Sequence, residues 1–304
     1  MSTPSPASDE RILLGFDVGG TNVRTAVAGR GQPRAAATTR LPRDYEGLLT
    51  VLVGMAHEAA AGRTVAGVGI GLPGVVLGNT ATWVPNVPFV VGVPLAADLE
   101  ARLGAPVFLS NDAQAALLGE ARYGAARALR SVALFSIGTG VGGAILVGDR
   151  VLRGAHGAAG SFGWVNVDAW GAHDPDHGQL ELLASGRALD AAAREDGAYE
   201  DAPALVAAAR AGDAEAAHRL HERGRLLGTA IATVASTFDP QLVLVSGGVS
   251  EAFELLEPGV REAMSSMASP TARGIPVRVA SLGSRAGSWG AVALAAEGEE
   301  AFVL

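Results

Sequence analysis

Short apolar runs recur along the chain, each closing on glycine or a polar residue: Ile12–Phe16, Val65–Ile70, Val107–Leu109, Val132–Ile137, Ala144–Val147, Leu242–Val245 and Val277–Val279. Runs of this length, rich in Val, Ile and Leu and bounded by turn formers, predict buried strands. Alanine-rich helical stretches lie between them, among them Ala113–Tyr123, Gly186–Arg194, Glu222–Ser236 and, near the end, Gly287–Ala296. Alternation of the two predicts an α/β protein with central sheets.

One pattern occurs twice. LLGFDVGGTNVRTAVAG begins at residue 13 and VALFSIGTGVGGAILVG at residue 132, each an apolar strand, a turn of Gly and Thr, and a second apolar strand. Such a repeat predicts two similar domains that open with the same device. Residues 11–116 form the first, joined by a helix returning within 286–304, and residues 117–285 form the second. Residues 1–10, MSTPSPASDE, are polar and Pro/Ser-rich with no charged segment leading into an apolar core, and so read as a disordered tail and not a signal peptide.

In the first turn Asp17 closes the strand, Gly19 and Gly20 bend the chain, and Thr21 and Asn22 follow. Glycine permits positive φ and lets backbone amides approach a ligand, so the turn can serve as a nest for phosphate oxygens. It can equally be a hairpin that needs glycine at its bend. A second turn, Gly138-Thr139-Gly140, and a third, Ser246-Gly247-Gly248, also follow strands. Three such turns favour a nucleotide, gripped at its phosphates by Thr21 and Thr139 and lying along Gly247 and Gly248 at its nucleoside end. Asp17 repels phosphate, and its role in this reading is to hold magnesium, directly or through water.

Composition narrows the field. The 304 residues are 49% hydrophobic and 18% charged, with a net charge of −8, against the basic face of a nucleic-acid binder. No run reaches the roughly 18 apolar residues of a membrane span. Cysteine is absent, which excludes disulfides, thiolate zinc sites and cysteine nucleophiles, and a cytoplasmic protein is expected. All 23 basic residues are arginine. Without lysine no Walker-type P-loop exists, so phosphate must be met by backbone amides, metal or arginine.

In VFLSNDAQAALLGEARYG a strand leads through Ser110-Asn111-Asp112 into a helix. One of these polar residues is expected to cap the helix. A carboxylate there feels the positive end of the helix dipole and is expected to stay ionised. Beyond the carboxyl end of a strand, where α/β sheets bind ligands, Asp112 can accept a proton from an attacking hydroxyl.

These segments resemble the ROK family of sugar kinases and related repressors, within the hexokinase/actin-like superfamily. The resemblance runs through DVGGTN, GIGLPGVV, PNVPFVVGVPL, NDAQAALLGEARYGAA, GTGVGGAILVGDRVLRGAHGAAG, LELLASG and LVSGGVS, in order, over nearly all of residues 11–296. It implies two actin-like (ribonuclease H-like) domains with a ligand cleft between them. It also implies ATP- and magnesium-dependent transfer of the γ-phosphate to a hydroxyl of a hexose or hexose derivative, with Asp112 as general base. Asn86, Asn111 and Glu181 would contact the sugar. Gly19, Gly20, Thr21, Asn22 and Thr139, with Gly138 and Gly140 in the same turn as Thr139, would hold phosphates, and Gly247 and Gly248 the nucleoside. A homodimer is a further expectation.

The chain departs from that family at one segment. After GAAG the family has Glu-x-Gly-His and then a zinc segment with three cysteines, whereas here Ser161-Phe162-Gly163-Trp164 precede VNVDAWGAHDPDHGQLE. Ser161 and Trp164 replace the sugar-binding Glu and the His, and Ala172, Asp174 and Gln179 stand at the cysteine positions, so no zinc site is expected. Ser161 is shorter and neutral, while Trp164 can stack on a sugar or fill the volume left by the zinc module. His173–His177 is a metal candidate or, with Pro175 breaking its spacing, a polar loop; His218 and His221 read as a solvated helix face. The competing readings are a sugar- or nucleotide-binding sensor, a repressor (weakened by the short polar segment before Ile12), and an ATPase without a sugar acceptor.

Overall fold

The computed structural model describes residues 11–168, 170–171 and 173–304. The tail expected at residues 1–10 lies outside them. The chain runs β1 (Ile12–Val18), β2 (Asn22–Ala28), β3 (Arg34–Arg40), α1 (Tyr45–Ala60), β4 (Val65–Leu72), β5 (Val75–Leu77), β6 (Thr80–Trp83), α2 (Leu95–Leu103), β7 (Val107–Asn111) and α3 (Asp112–Tyr123). It continues through β8 (Ser131–Ile137), β9 (Val141–Val147), β10 (Arg150–Leu152), α4 (Gln179–Ala184), α5 (Gly186–Arg194), α6 (Ala202–Arg210) and α7 (Ala214–Phe238). Last come β11 (Leu242–Ser246), α8 (Phe253–Met267), β12 (Val277–Val279), α9 (Ala286–Glu297) and β13 (Phe302–Val303). Strands and helices alternate as the pattern predicts.

The chain divides into two compact units. The first holds the described residues up to Ala128, with Asp149–Ala159 and Ser284–Leu304; the second holds Leu129–Gly148 and Gly160–Gly283. In the first unit the strand order is β3-β2-β1-β4-β7, with β1 parallel to β4 and β4 parallel to β7. β1 and β2, and β2 and β3, are antiparallel. The second unit repeats the scheme: β8 and β9 form the antiparallel hairpin, β11 lies parallel beside β8, and β12 parallel beside β11. Each unit has its own apolar core, one centred on Phe16, Leu14, Leu52 and Ile70, the other on Phe135, Leu220, Val243 and Val245.

Two close helix contacts shape the first unit. A Cβ on Gly69 of β4 would collide with the Ala291 carbonyl of α9, so that glycine lets the helix lie directly on the sheet. Gly290 of α9 meets the Ala115 carbonyl of α3 in the same way. α9 therefore touches both the sheet and α3 at backbone distance. The boundary expected at residue 117 would cut α3, but the helix stays whole in the first unit because its middle is packed on α9.

Candidate functional site

The three parallel strands of the first unit end together. Asp17 of β1 pairs in register with Gly71 of β4, and Gly71 with Ser110 of β7. Asn111 and Asp112 come directly after Ser110, so the two acids stand at the carboxyl ends of two parallel strands, β1 and β7, that flank β4, where open α/β sheets bind ligands. Asn111 is the cap: its side-chain oxygen accepts from the amides of Ala113 (2.9 Å) and Gln114 (3.1 Å), and its amide donates to the Gly74 carbonyl at 2.6 Å. Those bonds leave Asn111 one N–H for a ligand. Asp112 Oδ1 accepts from the Ala113 amide at 2.8 Å.

The carboxyl of Asp112 departs from the sequence expectation of a group kept ionised by the helix. Burial, followed by the repulsion of Asp17, pushes its pKa up to about 7 despite the backbone hydrogen bonds. Desolvation here outweighs the dipole. Asp17 is raised as well, first by burial and against the pull of Arg24, whose Nη1 lies 3.5 Å from Asp17 Oδ2. The start of α9 presses on Asp17: a Cβ on Gly287 would stand 2.8 Å from its Cγ. Paired, half-buried carboxyls with raised pKa values are a signature of acid–base or cation-binding sites.

The adjoining turn runs from Gly19 to Asn22 and closes with the Gly19 amide donating to the Asn22 carbonyl at 2.9 Å. Asn86 lies against it; a Cβ on Gly20 would be 3.2 Å from the Asn86 Cβ. Neither Gly19 nor Gly20 adopts positive φ, which corrects the reason offered from sequence: these glycines provide space, not a left-handed bend. Asp17 and Asn86 thus flank the turn that carries Thr21 and Asn22, and Asp112 is coupled electrostatically to Asp17.

In the second unit the turn Gly138–Gly140 closes from the Gly138 amide to the Gly140 carbonyl at 2.9 Å, again without positive φ. Glu181, in the first turn of α4, accepts from the Val141 amide at 2.9 Å and from Arg187 at 3.1 Å. Arg187 also donates to the Thr139 carbonyl at 3.1 Å. The Glu181 carboxylate therefore braces the turn that carries Thr139. Gly247, by contrast, has φ +86, and a Cβ there would collide with the Ile137 carbonyl, whereas the space beside Gly248 is open. Gly247 serves the fold and Gly248 leaves an open backbone.

Ser161–Trp164 lies beside the same turn. Phe162 stacks on Phe135 with centroids 4.4 Å apart and anchors the segment. A Cβ on Gly163 would collide with the Val141 carbonyl and stand 3.5 Å from the Glu181 Cβ. Ser161 and Trp164 are exposed, Trp164 by 50%. Of the three positions corresponding to the family's cysteines, Ala172 is outside the described residues. Gln179 is 4% exposed, and its side-chain oxygen accepts from the amides of Val167 (2.7 Å) and Asp168 (2.8 Å). Its amide donates to the Asp168 carbonyl at 2.7 Å. Asp174 Oδ1 takes the amides of Asp176 and His177 and the His177 ring. These donors are committed to the loop and do not fit a zinc ion; among the described residues no group of three His, Cys, Asp or Glu is placed to hold a metal. His221 pairs with Glu222 and Glu262 on a polar helix face.

Sequence reasoning missed Arg24, Gly287 and Arg187. Arg24 was within reach, because a hairpin turning over Gly19–Asn22 sets it opposite Asp17. The other two carry no local signal, since their partners lie far away along the chain or in another turn.

A sequence model of the ROK family matches residues 13–298. The chain is 32% identical over 311 aligned residues to a glucokinase of Streptomyces coelicolor, covering 94% of this chain and 98% of that one. It is 32% identical over 263 residues to an N-acetyl-D-glucosamine kinase of Pectobacterium carotovorum, covering 81% and 86%. Among solved structures, a Streptomyces griseus ROK glucokinase in complex with glucose and AMPPNP superposes with a TM-score of 0.79 at 31% identity, over 94% of this chain and all of that one. The chain belongs to the ROK family, as its motifs led us to expect. Among its described residues no helix is long and apolar enough to cross a membrane.

Proposed function

We propose that the chain is an ATP-dependent carbohydrate kinase in which Asp112 takes the proton of an acceptor hydroxyl. The observation that carries this reading is the pair Asp17 and Asp112, raised in pKa and set at the ends of the two parallel strands that flank β4, at the same edge of the sheet as the Gly19–Asn22 turn. A carboxyl titrating near 7 is matched to general-base work at neutral pH. In the step proposed, the Asp112 carboxylate accepts the hydroxyl proton as the sugar oxygen bonds to the γ-phosphorus. The bond from that phosphorus to the bridging oxygen breaks, ADP leaves with its electron pair, and Asp112 then returns its proton to solvent. Backbone amides of the two turns, with Thr21, Asn22 and Thr139, orient the phosphates. Gly247 and Gly248 lie along the nucleoside. Magnesium accompanying ATP would take Asp17 as its protein ligand, directly or through water, and supplies positive charge to the phosphates.

Asn86 and the remaining N–H of Asn111 bind sugar hydroxyls in this reading. Trp164, half-exposed beside Glu181, offers an apolar face to the ring, and Ser161 a hydroxyl. The relatives act on glucose and N-acetyl-D-glucosamine by name, so the acceptor class is a hexose or an N-acylated hexosamine. A cytoplasmic homodimer completes the reading, with light scattering as the check on its assembly.

The test is ADP release across a panel of hexoses, N-acylated hexosamines and polyols, with wild type beside Asp112→Asn. Sugar-dependent turnover that disappears in the variant supports the proposal. Turnover indifferent to sugar would make the chain an ATPase, and sugar binding with no turnover would make it a sensor.

A further inference from the structure

The first unit contains a cavity that the Gly19–Asn22 turn does not line. It is a half-open depression of about 250 Å³ between strands β2 and β3 and the start of α9, lined by Arg24, Thr25, Ala35–Thr38, Ser284, Arg285 and Ser288. No Asp or Glu is in that wall, in a chain where acids outnumber bases 31 to 23. The pairing of β2 with β3 slips between Thr25 and Ala26, so that Ala36 is the extra residue on the facing strand. Bulges of this kind open or re-aim a sheet surface. The neighbouring alanines leave the floor shallow and uncrowded.

Both cations are held in place before any ligand arrives. Arg24 is directed by Asp17 across the hairpin, at 3.5 Å, and that contact engages only one edge of its guanidinium. Arg285 lies over the Trp289 ring, 4.9 Å from its centroid. Arg285 is also the residue from which the 12-residue helix α9 starts, so the positive end of the helix dipole faces the same wall. Thr38 and Ser284 add hydroxyls to the lining, while the buried Ser288 donates its own to the Arg285 carbonyl at 3.3 Å. Two pre-oriented guanidinium groups, hydroxyl donors and a space too small for a nucleotide describe a receptor for a compact, doubly charged oxyanion.

We propose that this cavity binds a phosphate dianion, gripped between Arg24 and Arg285. The phosphate is either free or the charged end of a phosphorylated sugar. Because Arg24 gives one edge to Asp17, a bound phosphate on its other edge would share the guanidinium with Asp17, so occupancy is coupled to the carboxyl beside the glycine turn.

Calorimetric titration of the full chain with inorganic phosphate, glucose 6-phosphate and glucose, with AMPPNP and magnesium present throughout, tests the proposal. Wild type should bind one phosphate in the millimolar range or tighter. Arg285→Gln and Thr38→Asp should each weaken it by about tenfold or more, with melting temperatures close to wild type. Tighter binding of the sugar phosphate than of free phosphate assigns the ligand to the phosphorylated sugar, and the reverse assigns it to the free ion. Glucose should be indifferent to both substitutions. Thr38→Asp adds a repelling charge on an edge strand, directly across from Arg24 and outside α9, so it still reads the pocket if Arg285→Gln disturbs α9. Phosphate binding unchanged in both variants, or none detected in wild type, overturns the proposal.

Discussion

In the first unit the turn Gly19–Asn22 stands among charges in conflict: Asp17 and Asp112 repel one another, both are raised in pKa, and one arginine, Arg24, contacts Asp17 alone. In the second unit the turn Gly138–Gly140 stands among charges already matched, with Glu181 satisfied by a backbone amide and by Arg187. The strands on either side follow the same pairing scheme, and FDVGG of the first repeat reads against FSIGT of the second. Asp17 therefore corresponds to Ser136, and the strand β12, which corresponds to β7, leads into Ala280 and not into an acid. One device can thus serve two ends. Where carboxyls are crowded and desolvated it is poised to move protons and attract a cation, and where they are neutralised it is held still to receive a ligand.

The largest effect expected from breaking this contrast is on turnover. Asp112→Asn keeps the size of the side chain and removes its basicity, and should lower kcat of the sugar-dependent reaction by roughly 10²–10⁴-fold, the usual contribution of a general base. Steady-state ADP release measures it. The corresponding change in the second unit, Glu181→Gln, keeps an acceptor for the Val141 amide and should cost far less in kcat. If the two losses were equal, the division of labour would be wrong.

The same conflict should be visible in stability. Asp112 binds its proton more tightly in the folded chain, near 7, than at its ordinary 3.8. Below about pH 4 both states are protonated and the group favours neither. Relative to that limit, the fold loses stability as pH rises toward 7, by as much as about 4 kcal/mol if the whole shift is expressed. Asp17 adds to the loss in the same direction. Asp112→Asn should therefore melt higher than wild type at pH 8 and alike at pH 4, the reverse of what loss of a stabilising side chain would do. For catalysis the sign is opposite: kcat/KM should climb as pH passes about 7 and Asp112 becomes a base.

A smaller effect is expected at the loop that follows the second turn. Gln179→Ala removes the acceptor for two amides and the donor for one carbonyl, a cost of about 1–3 kcal/mol because Asp168 is exposed and water recovers part of the loss. Gln179→Glu keeps the acceptor but buries a charge and sets a carboxylate oxygen against the Asp168 carbonyl, and should recover little of it. Denaturant titration ranks the three chains, and a wild-type melting curve for Gln179→Ala would deny the side chain its role as clasp.

The strands β1, β2, β4, β7, β8, β9 and β11, the helices α3, α5 and α9, and the duplicated hairpin were legible because each buries an apolar run or a periodic face. β3 was not, since RAAATTR is an edge strand exposed along most of its length and offers no alternation to read. The acids Asp17 and Asp112 were legible as types at strand ends, but not their raised pKa values, which depend on how closely α9 lies on β1. Nothing local to Gly287 announces that it rests on a carboxyl 270 positions earlier in the chain. Glu181 was legible as a candidate, and its partners were not, because the Val141 amide and Arg187 reach it only through the approach of α4 to β9. The glycines of the two turns were found for a reason the backbone does not bear out, and that difference gives the most sensitive test.

Since Gly138 has ordinary φ and nothing lies within 4 Å of the place its Cβ would occupy, Gly138→Ala should leave the unfolding free energy of the chain within about 0.5 kcal/mol of wild type, as for a neutral surface change. Its methyl would instead project into the open side of the turn, where the proposed reading lays a phosphate. A severalfold rise in KM for ATP with KM for sugar unchanged is the expected result, smaller than any effect above. Gly140→Ala is the informative partner, because its Cβ would run into the Glu181 carboxylate and should cost both stability and ATP affinity. A turn that is only a hairpin would tolerate the first substitution in every assay and resent only the second. A turn that holds phosphate separates them, losing affinity at Gly138 without losing stability. The matching change in the first unit, Gly19→Ala, meets nothing closer than the Asn22 carbonyl at 3.4 Å and should behave like Gly138→Ala if both turns grip the same nucleotide.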